Sequence, residues 1–117
     1  QKSSNWNEQF TFFNHKKDLK PSWFGFPLLI NPKFKKNKGK FLNFLNRNNL
    51  ETRPIISGNF VNQPAIKLYD IKYNKHELKN SNEIDKRGFF IGLPTVKLTQ
   101  KKLDKIIDLL LSISNLK

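Results

Sequence analysis

Glu51-Thr52-Arg53-Pro54-Ile55-Ile56-Ser57-Gly58-Asn59-Phe60-Val61-Asn62-Gln63-Pro64 decides how this chain of 117 residues is read. The run opens as a strand over 50–56, with Ile55 and Ile56 as its apolar content. It turns at Ser57-Gly58-Asn59 and reaches Gln63-Pro64, where a short helix can begin. Gly58 permits a positive φ and close approach of backbone to a ligand. Arg53 carries a planar fork of donors that matches phosphate or carboxylate. Residues two apart on a strand share a face. Glu51 and Arg53 therefore either pair with each other or face a polyhydroxylated ligand as acceptor and donor. With the Asn59 carboxamide they make a candidate binding loop for a polar, anionic small molecule. The candidate substrate-binding residues are Arg53, Asn59, Gly58 and Glu51. The plainer alternative is a strand end, a turn and a surface arginine.

The flanking segments supply a sheet and helices for this loop. Upstream, residues 22–30 form a near-continuous apolar run, which predicts a strand covered on both faces. Gly25 within it marks a bulge or a close approach. Pro27 points to a sheet edge, or to an amide position facing away from a neighbour. Residues 10–13 are a shorter, aromatic strand, and residues 1–9 read as the tail of a helix. Residues 38–49 carry Phe41, Leu42, Phe44 and Leu45 at helical spacing and close on Asn48-Asn49. Downstream, residues 64–69 suit a short helix, and Ser81 can cap another over 83–87 with Gly88 as its stop. Residues 89–94 are a further apolar strand. Thr99 is an N-cap for a helix over 100–114, whose stripe is Leu103, Ile106, Ile107, Leu110 and Ile113. Together these predict one α+β domain over 1–117, a short, mostly antiparallel sheet packed by helices.

Composition narrows the function. The chain has 22 basic and 9 acidic residues, for a net charge of +13. That invites a nucleic-acid partner. The bases are nearly all Lys, with Arg only at 47, 53 and 87, whereas base readout and bidentate phosphate contacts favour Arg. The densest run, between Lys33 and Lys40, reads as a solvated loop entering a helix. There is no Cys, and His15 and His76 stand apart, so neither disulfide nor metal chemistry is expected. No apolar run near the start suits a signal peptide or a membrane span. The helix over 100–114 is expected to pack on the sheet and not on a membrane surface. The chain contains no Met, so it is expected to be part of a longer protein. No nucleophile, phosphate-loop or paired-carboxylate motif is present, and Trp23, Phe24, Phe26, Phe89 and Phe90 are expected in the core.

Three motifs in order carry a resemblance. They are Pro21-Ser22-Trp23-Phe24-Gly25-Phe26-Pro27-Leu28, then Glu51-Thr52-Arg53-Pro54 with Ser57-Gly58-Asn59 and Gln63-Pro64, then Arg87-Gly88-Phe89-Phe90-Ile91-Gly92. Over residues 9–112 the chain resembles the C-terminal domain of the DegT/DnrJ/StrS family of pyridoxal-phosphate-dependent sugar aminotransferases and dehydratases. It is most similar to the nucleotide-linked 4-keto-6-deoxyhexose 3-dehydratase branch. The resemblance implies the small C-terminal domain of a fold-type I enzyme, closing over a nucleotide-sugar beside a large domain outside this chain. It implies pyridoxal phosphate bound mainly by that large domain, where the catalytic Lys or His would also lie. It places Arg53 and Asn59 near the substrate. It further implies a cytoplasmic homodimer serving deoxysugar and surface-polysaccharide synthesis, including lipopolysaccharide O-antigen. The other reading is a free-standing basic nucleic-acid-binding or interaction module.

Overall fold

A computed structural model describes residues 6–13 and 17–116. His15 and residues 1–5 lie outside the described residues. Four antiparallel strands form one sheet in the order β1-β2-β4-β3. They are β1 (Phe10–Phe12), β2 (Gly25–Ile30), β3 (Thr52–Arg53) and β4 (Gly88–Gly92). Among the described residues four α-helices accompany them: α1 (Trp6–Gln9), α2 (Lys38–Arg47), α3 (Lys79–Arg87) and α4 (Gln100–Leu111). The α+β expectation, with a short antiparallel sheet packed by helices, is met.

Register sorts the side chains onto two faces. Phe10 pairs with Ile30, Phe12 with Leu28, Leu28 with Phe89, and Phe26 with Ile91. Directly opposed residues share a face, so these apolar side chains form one layer. Phe10, Leu28, Ile30 and Phe89 are buried there with Phe41 and Leu45 of α2 and Leu110 and Ile113 at the end of α4. Each such side chain contributes roughly 1.5–3 kcal/mol on full burial. The aromatic rings interlock: Phe89 meets Phe10 at 6.3 Å and Phe41 at 6.0 Å between centroids.

The opposite face carries Gly25, Pro27, Leu29 and Phe90, and is covered less completely. Pro27 and Leu29 are half-buried and Gly25 is buried. The expectation that both faces of this strand are covered holds only for its second half. The edge expectation from Pro27 is corrected, because β2 is an interior strand between β1 and β4. The ladder explains how proline is tolerated. Leu93 donates its N–H to the Phe24 carbonyl at 3.0 Å. Antiparallel pairs alternate, so Pro27 falls in a pair with Phe90 that exchanges no hydrogen bonds. On the other side the ladder stops at Phe12 opposite Leu28. The missing N–H is therefore needed by neither neighbour. Gly25 does mark a close approach: a Cβ there would lie 2.5 Å from Cδ2 of Phe90.

The end of α2 and the start of α4 follow the sequence signals. Asn49 adopts φ 62 just past α2. Leu50 donates to the Leu45 carbonyl at 3.0 Å and Asn49 to that of Asn46 at 3.1 Å. This is a Schellman closure with asparagine in the left-handed position. The Thr99 hydroxyl accepts from the Lys102 N–H at 3.4 Å and caps α4. The helix then tightens into a 3-10 turn over Ser112–Asn115.

Several boundaries are corrected. The lysine run is not a loop: Pro32–Asn37 is a 3-10 helix, capped by Asn31, that leads into α2. The helix over 64–69 is a 3-10 turn, Pro64–Leu68. Ser81 does not cap α3, which starts at Lys79 after Leu78 without a side-chain cap. Gly88 does stop α3, as the C-cap whose N–H donates to the Ile84 carbonyl, though with a φ of −81 and not a left-handed one, and it begins β4. Its small size is what matters. A Cβ there would lie 2.5 Å from the Ile84 carbonyl oxygen and 2.9 Å from Cδ1 of Ile55. The strand over 50–56 shrinks to β3, because Pro54 has no N–H to continue a ladder. Beyond it Gly58 donates to the Ile55 carbonyl at 2.8 Å, and Ile56 sits at φ 46.

Arg87 fastens α3 to the sheet. It is buried, donates from Nη1 to the Ile30 carbonyl and from Nε to Glu83. The Arg87 hydrogen bond is the first cause that holds the Glu83 carboxyl below its ordinary range, with help from Lys35 and Lys86 and against a desolvation effect. A carboxylate depressed in the folded state stabilises above its unfolded pKa and loses that contribution as pH falls through the folded value. Arg87→Met is expected to lower stability by about 1–3 kcal/mol, the usual cost of leaving a buried acceptor without its donor. It should also flatten the part of the acid limb that belongs to Glu83. Urea titrations at neutral pH and at pH near 4 would check both effects.

Candidate functional site

The predicted binding residues separate into two places. Glu51 and Arg53 flank and occupy β3 at the open edge of the sheet. Arg53 Nε and Nη2 meet the same Glu51 oxygen, Oε1, at 2.9 and 2.8 Å. Their side chains remain 67% and 73% exposed, so solvent screens the pair and it adds little to stability. Both residues line an open cleft of about 450 Å³ with Phe24, Phe90, Gly92 and Pro94. Phe24 is 79% exposed, and its ring meets Phe90 edge-on at 5.5 Å. A Cβ built on Gly92 would meet nothing within 4 Å. The arrangement offers a guanidinium, a carboxylate and an exposed aromatic ring within one concave surface.

Gly58 and Asn59 are not in this cleft. Asn59 is only 3% exposed. Its Nδ2 donates to Oδ1 of Asn82 at 2.8 Å, and its own Oδ1 accepts from the Val61 N–H at 3.3 Å. Asn62 donates to the same Asn82 oxygen at 3.1 Å and to Asp85 Oδ2 at 2.8 Å. Gly58 does take a positive φ, 63. The close approach it permits is to α3: a Cβ would overlap the Asp85 carboxylate and lie 3.0 Å from the Asp85 Cα. Lys38 crosses from α2 to donate to the Asp85 carbonyl at 2.9 Å. Burial pulls the Lys38 ammonium below its usual pKa, and the nearby Asp85 charge opposes that shift. The turn is thus bolted to α3 by amides, and Gln63 ties it back with a 2.8 Å bond to the Ser57 carbonyl.

Phe24 and Phe90 are expected in the core, and the structure places both in the lining of the cleft, Phe24 exposed and Phe90 half-buried. The signal was present: Phe24 lies just before Gly25, and Phe90 alternates with buried Phe89 and Ile91. Such alternation puts Phe90 on the less covered face.

Two apolar hollows border this region. One, of about 510 Å³, lies between the sheet and α4 and includes Trp6, Phe26, Leu93, Leu98, Leu103 and Ile107. The stripe of α4 is therefore buried only at its C-terminal end, and Leu103 is exposed. The second, of about 300 Å³, is on the opposite face between Trp23, Phe24, Ile56 and Phe90. Exposed apolar surface of this kind marks places where other protein or ligand packs. No helix among the described residues is long and apolar enough to cross a membrane. Among the described residues no group of His, Asp and Glu could hold a metal ion.

No family profile matches the chain. Individual proteins do. The lipopolysaccharide biosynthesis protein RfbH of Salmonella typhimurium is 33% identical over 89 residues, which are 75% of this chain and 20% of that protein. GDP-4-keto-6-deoxy-D-mannose 3-dehydratase of Escherichia coli O55:H7 is 36% identical over 83 residues, 66% of this chain and 20% of the enzyme. The chain thus spans about one fifth of the length of the curated relatives it matches. Among solved structures, the E. coli GDP-4-keto-6-deoxy-D-mannose-3-dehydratase with bound hydrated pyridoxal phosphate superposes with a TM-score of 0.69 at 26% identity, over 87% of this chain and 25% of that one. A variant of the same 3-dehydratase with bound GDP-perosamine gives 0.68 at 27% identity, over 87% and 26%. The Arg53 cleft has neither Lys nor His in its lining, and its one guanidinium is already paired, so these residues do not by themselves assemble a pyridoxal phosphate site. In sequence and in fold, then, the chain is similar to a portion, one fifth to one quarter, of pyridoxal-phosphate-binding GDP-4-keto-6-deoxymannose 3-dehydratases.

Proposed function

We propose that this chain is the small α+β part of a pyridoxal-phosphate-dependent nucleotide-sugar 3-dehydratase or aminotransferase in deoxysugar and surface-polysaccharide synthesis. The observation that carries the reading is the open cleft holding Arg53 and Glu51, set beside bare apolar surface in a fold shared with the 3-dehydratases. A guanidinium suits the diphosphate of a nucleotide-sugar, and a carboxylate can accept from sugar hydroxyls. Gly58 and Asn59 hold the turn that follows β3 against α3. The cofactor, when bound by the remainder of the protein, supplies the electron sink. The residues described above bind and orient the substrate and limit access of water. The apolar hollows receive a large domain of the same chain, and the whole enzyme is a cytoplasmic homodimer.

The test is turnover by the full-length protein that carries this chain. GDP- and dTDP-linked 4-keto-6-deoxyhexoses are supplied with pyridoxal phosphate, with and without an amino donor. Loss of the 3-hydroxyl identifies a dehydratase, and gain of an amine identifies an aminotransferase. Arg53→Ala is expected to raise KM about 10- to 100-fold, the equivalent of one lost charge-assisted contact. The charge of +13 favours a second reading, a free-standing basic nucleic-acid-binding module. No turnover, together with duplex DNA binding that weakens steeply with salt, would replace the enzyme reading with that one.

A further inference from the structure

The Glu51–Arg53 pair lies at the wall of the open cleft. Two guanidinium nitrogens converge on one carboxylate oxygen, Oε1. The favoured fork–fork arrangement instead uses two parallel bonds to two oxygens. Both partners are largely in water, and both line the same cleft. The Nε–Nη2 edge of the fork is therefore occupied by an internal anion, held in a geometry that a diphosphate can improve on. Glu51 precedes β3 and is free of the sheet ladder, which begins at Thr52. Thr52 itself is fixed, because its N–H donates to Oδ1 of Asn46 at 2.8 Å and its hydroxyl donates to the same atom at 3.1 Å. The backbone is thus anchored between the two charged residues, and an exchange of partners needs only side-chain rotation.

Building on the nucleotide-sugar reading above, we propose that Glu51 is an internal competitor for the Arg53 fork, displaced when a diphosphate enters the cleft. The competitor sets a threshold. A singly charged carboxylate ligand gains nothing by replacing another carboxylate. A diphosphate brings more charge and pairs of oxygens that fit the fork, so it wins the exchange. Glu51, once released, lies at the cleft wall as an acceptor for hydroxyl groups. The site thereby favours diphosphate esters over carboxylates without any further cation.

The experiment measures GDP and inorganic pyrophosphate binding to the full-length protein by calorimetry. Glu51→Gln keeps the size of the side chain and removes the competing charge. It is expected to tighten both ligands about two- to fivefold, the scale of an exposed ion pair. Arg53→Ala is expected to weaken both tenfold or more, and in that background Glu51→Gln should have no effect, as a coupled pair requires. Unchanged or weaker binding in Glu51→Gln overturns the proposal, as does an Arg53→Ala protein that binds like the parent. A parent that binds pyrophosphate but not GDP, with tightening still seen in Glu51→Gln, removes the nucleotide-sugar reading and leaves the exchange standing. A parent that binds neither ligand overturns both.

Discussion

Phe89→Ala is expected to remove about 3–5 kcal/mol, the range for a buried Phe cut to Ala. Phe89 is 0% exposed. It sits on β4 between two interlocking rings, Phe10 and Phe41, and across from Leu28 of the neighbouring strand. Those partners come from β1, α2 and β2, so the cavity would open where sheet and helix layers meet. A domain is stable by only about 5–15 kcal/mol, so the loss is a large share of the total. Trp6 gives a local probe, because its ring packs 6.1 Å from Phe10 and 5.8 Å from Phe12. In a Trp23→Phe background, urea unfolding followed by fluorescence should show the midpoint fall by 1 M or more, at an m-value of roughly 1–3 kcal/mol/M. A midpoint within a few tenths of the parent would mean that the core does not close on Phe89.

Gly58→Ala carries the second large effect, and it separates structure from ligand binding. The left-handed φ costs a residue with a Cβ roughly 1–2 kcal/mol. The added methyl would also overlap the Asp85 carboxylate on α3. Overpacking of that kind costs typically about 1–3 kcal/mol, for a combined loss of about 2–5 kcal/mol. Relief by Asp85→Ala would be partial. It removes the overlapping carboxylate, but the φ strain and the Asp85 Cα 3.0 Å away remain, and it also takes the acceptor from Asn62. The measurement is thermal or urea unfolding of the single and double variants. Were Gly58 to serve ligand approach alone, stability would hold and only affinity would drop.

How much was legible depended on whether the deciding contact was local. The caps at Thr99 and Asn49 were readable because a cap is a contact within one turn of chain. The apolar runs over 22–30 and 89–94 and the stripe of α4 were readable because burial imposes a period. The strand over 50–56 failed because Ile55 and Ile56 suit a strand by type, while Pro54 and the turn behind it deny them a ladder. Pro27 left two readings open, an edge or an amide facing away from a neighbour, and the second holds. Whether a missing N–H matters depends on where β1 ends, which is a fact about another part of the chain. At the site, the Glu51–Arg53 alternatives were both visible, since residues two apart on a strand meet by geometry. The fate of Asn59 was not, because its partner Asn82 is distant in sequence and polar residues carry no period. Arg87 lies within a recognisable motif, but its reach to the Ile30 carbonyl crosses from one element to another.

Ile56 stands out in one further respect. It is β-branched, holds φ 46 and is 88% exposed, so its backbone strain is not offset by burial of its side chain in this chain. Asn or Gly at this position would relieve roughly 1–2 kcal/mol.

The shortness of β3 also bears on how the protein behaves at high concentration. A sheet with an uncovered outer strand invites an identical molecule to add its own strand, the first step towards fibrous aggregates. Here that outer strand offers only Thr52 and Arg53, between charged Glu51 and a proline that donates no hydrogen bond. A neighbouring molecule would find too little free backbone to extend along, and a charge at each approach. The same charged residues that line the cleft thereby guard this margin of the sheet against self-association.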